Sequence, residues 1–221
     1  MDGNLFDDIP TCGQLSPSKV KVEKVKKDWT GNSVAYSKTL GASSHCDHDR
    51  PEMDYYATEP KAVKLLLELE KFDGRIWEIA CGEGHLSEEI KKHGYEVKSS
   101  DIIDRKYGEV YDFLAIENTT TDMNIITNPP YAYADDFIVK GMEVLQEGKK
   151  LALFMPIRYL EGKKRKKIFA AYPPKTVYVS SSRLACAING DFANMKGSAV
   201  SYAWYVWVKG YKGDTVLKWF N

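Results

Sequence analysis

Four consecutive residues, Asn128-Pro129-Pro130-Tyr131, close an apolar run, "NIIT", that has the composition of a buried strand. Proline cannot continue a ladder and pushes the residue before it into an extended conformation, so the pair makes a stiff exit from a sheet. The Asn128 amide and the carbonyls beside the prolines then stand as fixed acceptors, and Tyr131 offers a flat face next to them. Upstream, "EIACGEGHL" runs a strand into Gly82 and Gly84 ahead of a helix. Glycines at that junction let a ligand come close to the outward N–H groups of a helix start. A dinucleotide fingerprint needs a third glycine where Ser87 stands, which makes a pyrophosphate the weaker reading. Glu78 heads the turn and Asp101 ends the next strand, both at the carboxyl edge where open α/β sheets hold ligands. Two carboxylates with no lysine in the glycine turn favour a cationic nucleoside: Asp101 accepts from ribose hydroxyls and Glu78 sits near the positive centre. A tight strand-to-helix connection with no ligand is the plainer alternative.

The elements that must position these residues follow from periodicity. "TEPKAVKLLLELEKF" carries Thr58 as an expected N-cap, Pro60 in the first turn and leucines at helical spacing. "GRIWEIACGEGHLSEEIKKHGYEVKSSDII" reads as strand, glycine turn, amphipathic helix closed by Gly94, and a second strand. A short piece, "YGEVYDFL", precedes the strand "MNIITN" and the helix "AYADDFIVKGMEVLQEG"; then come the strand "KKLALFMP", the basic helix "LEGKKRKKIFAAY" and the strands "KTVYVSSSR" and "SYAWYVWVKGY". This alternation predicts an α/β fold: a largely parallel sheet covered by helices on both faces, with an antiparallel edge formed by the late strands.

Composition bounds the rest. The 221 residues suit one main domain, and 31 basic against 31 acidic side chains leave no net field toward a polyanion, so a nucleic-acid partner must be held by a local patch. No apolar run approaches a membrane span, and the first residues lack a signal-peptide pattern, which makes the cytoplasm the expected location. Residues 1–35 are polar and lysine-rich and read as a flexible arm. Cys12, Cys46, Cys81 and Cys186 show no CxxC spacing and are expected to be reduced thiols, and "HCDHD", His45 to Asp49, fits no standard metal loop, so no metal is expected.

The joint pattern of "DYYATEPKAVKLLLELEKF", "IWEIACGEGHLS", "IITNPPY", "LEGKKRKKIF", "YPPKTVYVSS" and "YAWYVWVKGYKG" resembles the S-adenosylmethionine-dependent amino-methyltransferases with an NPPY motif, above all small DNA adenine-N6 methyltransferases of bacteria and phages. The resemblance spans Gly41 to Asn221. It implies a Rossmann-like class I methyltransferase fold with a mostly parallel seven-stranded sheet and an antiparallel edge strand. It implies S-adenosylmethionine as cofactor, with Tyr55, Tyr56, Thr58 and Pro60 closing over its methionine part. Glu78, Cys81, Gly82 and Gly84 match the glycine motif, Asp101, with Ile102 beside it, the ribose-binding acid, and Asp112 with Phe113 the pair that holds the adenine. Asn128, Pro129, Pro130 and Tyr131 match the catalytic motif, with Asn128 also facing the cofactor.

An exocyclic amine on adenine is a poor nucleophile because its lone pair is delocalised into the ring. Acceptors at the Asn128 amide oxygen and the Pro129 carbonyl let it pyramidalise, and Tyr131 stacks on a base that is flipped out or already unpaired. Arg158, Lys163, Lys164 and Arg165 are the expected phosphate contacts, with a solvated helix start as the alternative. Residues 36–221 are expected to form one domain without a separate target-recognition domain, leaving specificity to loops such as Ala185 to Ala199 or to a partner. NPPY also occurs in RNA guanine-N2 and protein-glutamine methyltransferases, so an RNA or protein acceptor, and a non-catalytic cofactor-binding module, stay open as alternatives.

Overall fold

The computed structural model describes residues 56–182, 184, 186–188 and 200–220. The arm over 1–35, the "HCDHD" cluster, Tyr55, Cys12, Cys46 and most of the Ala185 to Ala199 loop lie outside the described residues. In chain order the elements are β1 (Tyr56–Thr58), α1 (Pro60–Leu69), β2 (Ile76–Glu78), α2 (His85–Lys92), β3 (Val97–Asp101), β4 (Glu109–Val110), β5 (Asn124–Thr127), α3 (Ala134–Val144), β6 (Lys150–Pro156), α4 (Lys163–Ala171), β7 (Thr176–Ser180), β8 (Cys186–Ile188), β9 (Tyr202–Val208) and β10 (Val216–Phe220).

Helices alternate with strands as the periodicity requires, and the main sheet runs β10-β7-β9-β6-β5-β2-β3-β4. All neighbouring pairs are parallel except those of β9, which is antiparallel to both β6 and β7. The fold class is therefore the expected α/β sheet, with two corrections. The sheet has eight strands instead of seven, and the antiparallel strand lies inside β7 and β10 instead of at the rim. β10 escapes a pattern reading because Val216 to Trp219 are exposed, so its apolar residues show no alternation with a buried face.

Burial explains the layers. In β9, Tyr202, Trp204 and Val206 face a core shared with Ala62, Val63 and Leu66 of α1 and Ile90 of α2. Ala203, Tyr205 and Trp207 face the opposite core, shared with Phe137, Ile138 and Met142 of α3. A strand buried on both faces reads as a continuous apolar run, as "YAWYVWV" does. Two indoles lock the layers: Trp204 Nε1 donates to the Ala62 carbonyl at 2.8 Å and Trp207 Nε1 to the Tyr172 carbonyl at 2.9 Å.

A further correction concerns α1. Thr58 is not its N-cap; Glu59 occupies that position, Pro60 opens the helix, and Thr58 ends β1, which pairs antiparallel with β8. At the other helix end the expectation holds, since Gly94 follows α2 with φ 86°, a left-handed conformation that glycine adopts without steric cost. Among the described residues no helix is long and apolar enough to cross a membrane.

Candidate active site

The chain builds β2, β3 and β4 outward in one direction, then returns to place β5 on the other side of β2. The carboxyl ends of β2 and β5 therefore flank the point where strand order reverses, and loops leaving there diverge to open a crevice. A cavity of about 570 Å³ occupies it. Glu78 from β2, Asp101 and Ile102 from β3, Asp112 and Phe113, and Asn128 to Tyr131 after β5 all line this single space, with Thr58 and Cys81.

The acids are held in different ways. Asp101 is bound through both oxygens: Gly82 N–H donates to Oδ2 at 2.8 Å and Ile103 N–H to Oδ1 at 2.9 Å. Glu78 is 2 % exposed, and its Oε2 accepts the Ser87 hydroxyl, which also meets Ser99 Oγ at 2.6 Å. Burial, outweighing the Ser87 hydrogen bonds, pushes the Glu78 carboxyl up to about 8, with the Asp101 charge adding to the rise. The serine that stands in place of a third fingerprint glycine thus has a positive role, as the hydroxyl that satisfies Glu78. Burial first, then the nearby Glu78 and Asp101, pushes the Cys81 thiol up to about 12, so it stays protonated.

Gly82 and Gly84 shape the turn without forming the cavity wall. The Gly82 N–H is spent on Asp101, and Gly84, with φ 84° at the start of α2, is covered by the Tyr107 ring, which occupies the room a Cβ would need. The Tyr107 hydroxyl in turn bonds Glu88, and Lys91 Nζ donates to it at 2.9 Å. Asp112 caps a short turn by accepting from Leu114 N–H at 2.9 Å. The Phe113 ring packs into the core between Trp77, 5.7 Å between centroids, and Phe137, 5.6 Å.

At the β5 exit, Pro130 is extended and Tyr131–Tyr133 form one turn of 3₁₀ helix running into α3. Asn128 Nδ2 points at Cys186 Sγ at 3.9 Å, which ties the amide of the NPPY motif to β8. Tyr131 lies against Tyr159 and Tyr202, its centroid 6.4 and 6.3 Å from theirs, with its hydroxyl 3.7 Å from Cys186 Sγ; burial raises its ionisation well above the usual phenol range. The Tyr159 hydroxyl donates to the Tyr131 carbonyl and so pins the loop from the side of β6.

Pro60 sits in the first turn of α1 and does not line the cavity, and Tyr56 contributes backbone to β1. Arg158, Lys163, Lys164 and Arg165 also lie outside it. Arg158 and Lys163 are exposed, while Lys164 reaches Asp135 at 3.7 Å. Arg165 spends its guanidinium on Asp135 at 3.5 Å, on the Glu161 carbonyl at 3.0 Å and on the face of Tyr159 at 3.9 Å. Because Asp135 opens α3, these contacts bring the basic helix to the same sheet edge as the NPPY loop. The residues that sequence reasoning missed are Arg105, Tyr111 and Tyr133, all lining the cavity, and Tyr107 and Tyr159 behind it. They lie in connections with no periodicity, where only contact geometry reveals a role.

The donor set suits a cationic nucleoside. Glu78, Asp101 and Asp112 put carboxyl groups on the cavity wall, which Thr58 also lines, its own Oγ1 closed to solvent and without a hydrogen-bond partner among the described residues.

No protein-family model and no curated protein sequence matches the chain. Solved structures do. A protein of Listeria monocytogenes described as a class I S-adenosylmethionine-dependent methyltransferase is 15% identical with a TM-score of 0.52, over 85% of this chain and 70% of its own. A chain described as the modification subunit of a type I restriction enzyme of Vibrio vulnificus is 12% identical, TM-score 0.54, over 82% of this chain and 48% of its own. A protein of Pyrococcus horikoshii described as an RNA methyltransferase is 15% identical, TM-score 0.53, over 80% of this chain and 97% of its own. This chain thus spans about half the length of the Vibrio subunit. The likeness establishes the fold, the Rossmann-like class I methyltransferase arrangement.

Proposed function

We propose that this protein transfers a methyl group from S-adenosylmethionine to an exocyclic amine, and that the amine is N6 of adenine in DNA. The observation that carries the reading is the convergence on one cavity of Glu78, Asp101, Asp112 and the whole Asn128-Pro129-Pro130-Tyr131 motif. A pure binding module has no use for the last four. The names of the structural neighbours support methyl transfer, and that of the Vibrio subunit supports a DNA acceptor.

In this reading Asp101 holds the ribose hydroxyls, its orientation fixed by the Gly82 and Ile103 amides. Asp112 and the exposed Ile102 hold the adenine end. Thr58 lines the wall at the amino-acid end, and Glu78 loses its proton when a positive charge arrives nearby. S-adenosylmethionine, when bound, supplies an electrophilic methyl group on a sulfonium. The chain's own part is to accept the two amine N–H bonds at Asn128 and Pro129, aim the nitrogen, and exclude water. Positioning and fixed dipoles suffice, with no metal and no strong base, because the nitrogen that gains the methyl is then cationic and acidic enough to give its surplus proton to solvent as the product leaves. Arg158 and the exposed lysines of α4 would neutralise phosphates beside the cavity. Target recognition would come from the loops or from a separate partner.

The test is nucleoside mass spectrometry of unmethylated DNA after incubation with protein and cofactor. N6-methyladenine is the expected product; modification confined to RNA guanine or to protein glutamine would replace the acceptor. The RNA alternative draws on the Pyrococcus neighbour's name.

A further inference from the structure

Tyr131 and Tyr133 share one turn of 3₁₀ helix and one cavity, yet they occupy it differently. The Tyr131 ring is built into the wall, against Tyr159 and Tyr202, with its hydroxyl turned toward Cys186. Two residues on, at about 120° per residue of 3₁₀ helix, the side chain emerges on another side of the turn. Tyr133 is 56% exposed, and its side chain makes no hydrogen bond or ring contact among the described residues. Its backbone is nevertheless fixed, since its N–H donates to the Pro130 carbonyl at 2.9 Å. A large aromatic face is thus held at the mouth of the cavity without a packing role. Asp135, two residues further, pairs with Lys164 and Arg165, which brings the N-terminus of α4, with Lys163 exposed, to the start of α3. An exposed aromatic face with the start of a basic helix tied to the same turn is the composition that binds unpaired nucleotides, the face taking a base and the cations the backbone.

We propose that Tyr133 is a stacking platform for a nucleobase at the cavity mouth, so that the substrate strand is engaged unpaired by two tyrosines, Tyr131 lining the wall and Tyr133 at the rim. This rests on the nucleic-acid reading of the function. A tyrosine gives large contact area with only two side-chain torsions to immobilise, so its gain on stacking is little reduced by lost freedom. Tyr133→Phe keeps the aromatic face, Tyr133→Leu keeps apolar area without it, and Tyr133→Ala keeps neither.

The experiment is fluorescence anisotropy of a short fluorescein-labelled single DNA strand of mixed sequence with wild type and the three variants. Calorimetry of S-adenosylhomocysteine binding and thermal unfolding serve as controls. Tyr133→Ala and Tyr133→Leu should raise the strand Kd by about 10- to 100-fold, the usual scale for base–aromatic stacking, and Tyr133→Phe should stay near wild type. Cofactor-product affinity and melting temperature, measured on the same variants, separate loss of the platform from damage to the cavity wall or the fold. If Tyr133→Ala or Tyr133→Leu binds the strand like wild type, the platform is refuted while the nucleic-acid reading stands. If the wild type binds S-adenosylhomocysteine but no strand, single or duplex, the nucleic-acid reading itself falls and the platform with it.

Discussion

At the scale of single residues, the informative groups are those whose chemistry conflicts with their surroundings. Glu78 is the clearest, a carboxyl enclosed in the core side of the cavity with a serine hydroxyl as its partner. Its folded value of about 8 lies above the ordinary 4.5, so between those values the unfolded chain releases a proton that the folded chain retains. Stability from this group is complete below pH 4.5 and declines as pH rises toward about 8. Glu78→Gln should remove that decline, so urea unfolding from about pH 5 to about pH 8 should show the variant gaining on wild type as pH increases; parallel curves would deny the buried carboxyl this role. A bound cation near Glu78 favours its ionised form, so cofactor binding should release protons, seen as a dependence of calorimetric heat on buffer ionisation enthalpy. The acids and the NPPY motif were legible in the sequence because their types and their positions after strands are chemical statements in themselves. Tyr133, Tyr111 and Arg105 were not, because a tyrosine or arginine in a connection looks the same whether it lines a cavity or covers a loop. The Phe113 ring is a related case: its place in the motif was visible, but its packing between Trp77 and Phe137 was not.

At the scale of elements, the site depends on two turns being held still. The glycine turn is closed by Tyr107 lying on Gly84, whose left-handed backbone carries a steric cost for most residues with a Cβ. Gly84→Ala should lose at least about 1–2 kcal/mol from the backbone alone, with displacement of the Tyr107 ring added, as measured by chemical denaturation. Unchanged stability would mean that the ring moves aside without cost. The NPPY turn is pinned by the Tyr159 hydroxyl on the Tyr131 carbonyl. Tyr159→Phe should lower kcat for methyl transfer by about two- to tenfold, the worth of one such hydrogen bond, while leaving cofactor affinity in place; an equal loss in both would indicate general disruption instead. Helices and buried strands were readable from period and punctuation, including the stop at Gly94. Thr58 misled because a threonine ahead of a proline-started helix has the look of a cap, whereas here it belongs to β1 and lines the cavity. The interior placement of β9 was illegible for a different reason: its position depends on pairing with both β6 and β7, partners far apart in sequence that no local pattern encodes.

At the scale of the whole molecule, a chain with no formal net charge still gathers cations on α4 and the turn before it, a helix that Asp135 ties to the start of α3 just after the NPPY loop. Binding of DNA should weaken with salt, and neutralising Lys163 and Lys164 together should reduce the slope of log Kd against log salt by roughly one for each phosphate that no longer meets a cation. An unaltered slope would assign those lysines to solvation. The sheet beneath is held by two aromatic cores that meet through β9, so the edge carrying Glu78, Asp101 and Asn128 is fixed as one rigid surface. The central claim is that this surface holds S-adenosylmethionine and that Asn128 presents an amine to its methyl group. The measurement that tests it most directly is single-turnover transfer of labelled methyl to unmethylated DNA by wild type and Asn128→Ala, with cofactor affinity measured on the same preparations. Asn128→Ala should bind the cofactor as wild type does and transfer the methyl at least about 100-fold more slowly, the loss expected for one fixed transition-state dipole. Transfer by Asn128→Ala at the wild-type rate, or a wild type that does not bind the cofactor, would contradict that claim.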